Sequence, residues 1–123
     1  HRRANVRVRI GQSTFRKSLL DESGAVCAFT GRQPEEVLEA AHLYSFAATG
    51  KHEVGGGMLM RRDLHRLFDR GLISVDPDSL QIVVGSELEG HRDYVCLRGQ
   101  VLKCRVAAKT RDWLRAHRSQ SES

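Results

Sequence analysis

Residues 5–10 alternate around Val6, Val8 and Ile10, a period of two that predicts a short strand, and Gly11 breaks it. Ser13 can cap a helix with Phe15, Leu19 and Leu20 on one side, running to about Asp21. Ser23-Gly24 turns the chain, and Ala25 to Phe29 reads as a buried strand closed by Thr30-Gly31. The next segment points two ways. Glu35 to Ala41 has strong helix propensity, yet a strand from about Leu38 through His42 to Tyr44 fits the same residues. Ala47 to Gly57 is glycine-rich and polar, the pattern of a loop. After the apolar run Met58-Leu59-Met60, Arg62 to Arg70 shows helical spacing with Leu64, Leu67 and Phe68 on one face, and Gly71 stands where a helix ends on a left-handed residue.

The second half predicts strands at Leu72–Val75 and Leu80–Val84 around the turn Asp76-Pro77-Asp78-Ser79. A further hairpin is expected from Tyr94–Leu97 and Gln100–Leu102, turning at Arg98-Gly99. A last helix runs roughly from Lys109 to Arg118, with Trp113 as its apolar anchor, and residues 119–123 read as a frayed tail. There is no repeat and no low-complexity stretch. The 123 residues suit one domain with a real core.

Charge adds a partner class. Lys and Arg total 20 against 15 Asp and Glu, a net charge of +5. The first twenty residues hold Arg2, Arg3, Arg7, Arg9, Arg16 and Lys17 and no acid, and the last twenty are also rich in arginine. Basic ends around a mixed middle fit contacts to a nucleic-acid backbone; solvated helix faces are the plainer alternative. No apolar run approaches a membrane span and no signal peptide is visible, so the expectation is a cytoplasmic protein with no membrane partner. Cys27, Cys96 and Cys104 lie far apart without CxxC spacing. They argue against a disulfide framework or a four-ligand zinc site, and each is expected to be a small core residue. The chain opens on His1 rather than Met, which fits either a processed chain or a piece of a longer protein.

The candidate chemistry lies between Ala41 and Asp69. His65 and Asp69 are four residues apart and share a helix face, where an imidazole and a carboxylate can bind a divalent cation such as Mg, Mn, Ni or Zn. His42, delivered from a neighbouring strand, could deprotonate water beside that ion. These are the minimum parts for metal-assisted phosphodiester hydrolysis. On spacing alone, an exposed His65–Asp69 pair and a hydrogen-bonded core His42 explain the same residues. Arg61 and Arg62 flank the helix start and could grip phosphate; Arg16 is a further candidate, with packing or a surface hydrogen bond as its alternative.

The string Leu38-Glu39-Ala40-Ala41-His42-Leu43, followed by Gly56-Gly57-Met58-Leu59-Met60-Arg61-Arg62-Asp63-Leu64-His65-Arg66-Leu67-Phe68-Asp69-Arg70-Gly71-Leu72-Ile73, resembles the HNH endonuclease family. More narrowly it resembles the branch found in bacterial restriction and defence nucleases. Gly11-Gln12 with Phe15-Arg16, and Cys27-Ala28 with Thr30-Gly31, resemble that branch too, so the similarity spans roughly residues 7–102. It implies an α+β chain with a ββα-metal core over about 38–72, additional β-hairpins and flanking N- and C-terminal helices. It implies strand rather than helix at His42, with His42 as the general base, His65 and Asp69 as ligands of one divalent metal, and DNA as the substrate.

A separate recognition or sensor domain and a homodimer are partners the resemblance leaves open. Two departures stand out. The place where the family often has Asn is Gly56, so either something else orients His42 or activity is reduced. The residue before the base, often a ligand, is Ala41. The remaining shell is then water or a donor borrowed from Asp63, His52 or Glu53, with Asp69 ranked above Asp63. The alternative these departures favour is a catalytically degenerate nucleic-acid-binding module.

Overall fold

A computed structural model describes residues 14–44, 50, 53 and 55–122, with 119–122 in backbone only. The strand expected at 5–10, the Ser13 cap, the motif pair Gly11-Gln12, His52 and most of the 47–57 loop lie outside the described residues. Helix α1 covers residues 14–23. A small antiparallel pair follows, β1 (Val26–Cys27) and β2 (Gly31–Arg32). The buried strand expected over Ala25–Phe29 is therefore shorter. Ala28 and Phe29 lie in the turn between the two strands, wholly buried. Their apolar side chains serve the core there without strand geometry.

The conflict over residues 35–42 resolves in favour of strand. Only Glu35–Val37 forms a single 3-10 turn after Pro34; β3 then runs Leu38–His42. It pairs antiparallel with β4 (Gly57–Arg61) in a register from Leu38 opposite Arg61 to His42 opposite Gly57. Pairing beats local propensity because it buries Leu38, Ala40 and Ala41 against Met58, Leu59 and Met60. Helix α2 (Arg62–Asp69) continues from β4 and buries Leu64 and Phe68 on the hairpin. It ends as expected. The Gly71 N–H donates to the Phe68 carbonyl and the Leu72 N–H to the Leu67 carbonyl, with Gly71 at φ 72°.

Strands β5 (Ile73–Val75) and β6 (Ile82–Val84) pair as expected around a turn held by the Asp76 carboxylate, which accepts the N–H groups of Asp78 and Ser79. The expected hairpin over 94–102 does not form. Arg92–Val95 is a short helix, α3, and only Val101 makes an isolated bridge, to Gln81. Its β-rich residues face the core from a helical turn instead: Leu97 is buried and Tyr94 half-buried. Helix α4 runs Ala108–Glu122, continuing past the end at Arg118 that the sequence suggests. Of the cysteines, Cys27 is in the core and Cys104 half-buried, but Cys96 is exposed, against the expectation that all three are core. Among the described residues no helix is long and apolar enough to cross a membrane.

Candidate active site

The ββα unit presents two distinct places. The first is the outer face of α2. His65 lies one turn into the helix, its side chain 20 % exposed, between two carboxylates. Its Nδ1 is 2.8 Å from Glu39 Oε1 on β3, and its Nε2 is 3.3 Å from Asp69 Oδ2. Helical periodicity brings Asp69 to His65. Glu39 arrives through strand register, since it sits opposite Met60, two residues before α2 begins. Sequence reasoning missed Glu39. Its one signal is a charged residue between the apolar Leu38 and Ala40.

Donors bound at about 2.0–2.2 Å with bond angles near 90–110° lie about 3–3.5 Å apart. The separation of His65 Nε2 from Asp69 Oδ2 falls within that range. A carboxylate on the other ring nitrogen, as Glu39 provides, fixes the imidazole so that Nε2 turns its lone pair outward. No cluster of three or more His, Cys, Asp or Glu side chains is arranged for a metal among the described residues. The residues present thus fit a two-donor shell completed by water or substrate oxygens.

The arginines divide. Arg62 is 71 % exposed and donates from Nε to Glu39 Oε2 at 3.1 Å. With Arg66 and Arg70, both exposed, it lines the same open groove of about 510 Å³ as His65 and Asp69. Arg61 is committed elsewhere, donating from Nε and Nη2 to the two Asp63 oxygens at 2.7 and 2.8 Å. The Tyr94 hydroxyl also donates to Asp63, at 2.8 Å. Hydrogen bonding from Arg61 leads the causes that hold the Asp63 carboxyl down to about 2. Asp63 is therefore tied to the helix start rather than offered to a metal. Arg16 donates from Nε to the Leu38 carbonyl at 2.9 Å and from Nη2 to the Glu35 carbonyl, so its hydrogen-bonding alternative is realised.

The second place is the far end of β3. His42 is half-buried and lies three residues beyond Glu39, about 10 Å along the strand. Its ring stacks on Phe15 of α1 (centroids 4.2 Å apart, planes 10° apart) and meets the Tyr44 ring edge-on at 5.3 Å and 72°. Tyr44 packs against Trp113 of α4 and accepts the Glu53 N–H on its hydroxyl at 2.7 Å. The structure thus gathers His65, Asp69 and Arg62 around Glu39. It sets His42 apart, in an aromatic slot. Ala41 is wholly buried. His117, to which the sequence assigned no role, stacks on Phe68 at 4.2 Å, and burial pushes its pKa down.

Residues 27–76 match a family model described as HNH endonuclease. No curated protein matches the chain.

Proposed function

Taking residues 27–76 as an HNH endonuclease domain, we propose that the chain is a metal-dependent DNA endonuclease whose metal face is the His65–Asp69 side of α2 and whose general base is His42. The observation that carries this reading is the imidazole of His65, braced at Nδ1 by Glu39 and facing Asp69 at Nε2. A divalent ion bound there would neutralise charge on the scissile phosphate and on the leaving oxygen. The chain's own residues do the rest. Glu39 orients His65. The exposed guanidiniums of Arg62, Arg66 and Arg70 line the groove and supply positive charge for the phosphates beside the scissile bond. His42, at the other end of β3, takes the proton of the attacking water. A role in a bacterial restriction or defence system, with a recognition or sensor domain elsewhere, accords with the resemblance of the 38–73 string to that branch.

A second reading, a module that holds DNA without cutting it, is favoured by Ala41, whose buried methyl offers no ligand. Incubating supercoiled plasmid with the protein and Mg, Mn, Ni or Zn, against EDTA and beside His65→Ala, decides between them. Metal-dependent nicking that vanishes in the variant is expected. DNA binding without nicking under any metal would overturn the catalytic reading in favour of the module.

A further inference from the structure

The slot around His42 accounts for two sequence features that the proposed chemistry leaves aside: the upstream Phe15-Arg16 pair, and glycine at the place of the family's asparagine. Gly56 and Gly57 are not required by backbone conformation, because neither has the left-handed φ that Gly55 and Gly71 adopt. They are required by space. A Cβ on Gly56 would lie 2.4 Å from Tyr44 Cε1, and one on Gly57 would lie 2.2 Å from Phe15 Cζ. Both distances are far inside van der Waals contact, and the atoms met belong to the buried ring of Phe15 and the half-buried ring of Tyr44 rather than to flexible chain ends. The two missing side chains are the volume the two rings occupy, and those rings are the ones that flank His42.

Phe15 is itself held in place. Arg16, its neighbour on α1, clasps the carbonyls of Leu38 and Glu35, which ties α1 to the start of β3. The stacked ring restricts rotation of the imidazole out of its plane, and the Tyr44 edge closes the adjacent side. Tyr44 is fixed in turn by the Glu53 N–H and by Trp113.

We propose that Phe15 and Tyr44 are positioning residues for His42, an aromatic clamp that orients the base by packing where relatives use an asparagine side chain, with Arg16 as the clasp that delivers Phe15. The proposal rests on the reading of His42 as general base. Orientation of a catalytic group is worth about a hundredfold for a displacement near 1 Å. Phe15→Leu keeps an apolar side chain in the core but removes the stack. It is expected to lower kcat roughly ten- to a hundredfold, with KM and metal affinity held and the upfield ring-current shift of the His42 proton signals lost.

The sharper arm uses the glycine. Gly56→Asn alone should lose activity because its side chain meets Tyr44. Tyr44→Ala alone should lose activity because a jaw is gone. Gly56→Asn/Tyr44→Ala together should cleave faster than either single variant, since the asparagine then has room. This arm stands even where Phe15→Leu fails to fold. Wild-type kcat in Phe15→Leu, or additive losses in the double variant, would overturn the clamp. Failure of the parent reading looks different: His42→Ala would then cleave like the wild type, while the His42 ring-current shift would still be present in the wild-type protein and lost in Phe15→Leu.

Discussion

The two ends of β3 hold their histidines by opposite means. At Glu39 the imidazole of His65 is gripped by hydrogen bonds and charge, in an open groove with arginines around it. At His42 the imidazole is gripped by ring faces and edges, with Phe15 buried and Tyr44 wedged against α4. The first arrangement suits a ligand that must keep one nitrogen outward while solvent, metal and phosphate compete for it. The second suits a base whose ring must stay in place while its proton comes and goes, because packing does not depend on protonation as an ion pair does. A hydrogen-bonded site is sensitive to single polar substitutions and to salt. A packed site is sensitive to volume.

The largest test of that contrast separates the two histidines. His42→Ala is expected to abolish cleavage, a loss of about a thousandfold or more, while metal affinity measured by calorimetry stays near wild type. His65→Ala is expected to remove both together. Equal loss of metal binding in the two variants would merge the regions that the structure keeps apart. A smaller effect addresses the polar end alone. Glu39→Gln, which keeps the shape but not the charge, should weaken metal affinity about ten- to a hundredfold and leave the His42 ring signals unmoved. Unchanged affinity would mean that Asp69 and the helix suffice to orient His65.

The smallest effect tests the start of α2. The Asp63 carboxyl is held to about 2 against an ordinary 3.8, first by Arg61 and also by Tyr94. A carboxylate depressed in the fold contributes stability that is present above its ordinary titration range and disappears as pH falls from about 4 toward 2. With Asp63 39 % exposed, solvent screening leaves roughly 1 kcal/mol. Asp63→Asn should therefore melt earlier than wild type at pH 7, with the gap closing on acidification below pH 4. A gap that persists at pH 2 would assign the loss to something other than the carboxylate charge.

Much of the core could be read from the residues because its signals are local. Apolar spacing in 62–70, Gly71 after it and the Asp76 turn each carry their own geometry, and the resemblance decided for strand at His42. What stayed hidden depends on distant partners. Tyr94, Val95 and Leu97 have strand-like composition, yet the segment becomes a helical turn that lets the Tyr94 hydroxyl reach Asp63. Glu39 and His65 are brought together only by the β3–β4 register and the start of α2. Gly56 reads as a defect in the sequence because its compensation comes from α1 and from Tyr44.

Helix α4 touches both ends of this arrangement, Trp113 against Tyr44 and His117 against Phe68. A ribosome makes it after every other element described above, at roughly 5–20 residues per second. The β3–β4 hairpin and α2 can pair as soon as they emerge, but the outer wall of the Tyr44 jaw arrives seconds later with the last helix. During synthesis the His42 ring therefore has its Phe15 partner from the start, while Tyr44 and Phe68 wait for Trp113 and His117 to cover them.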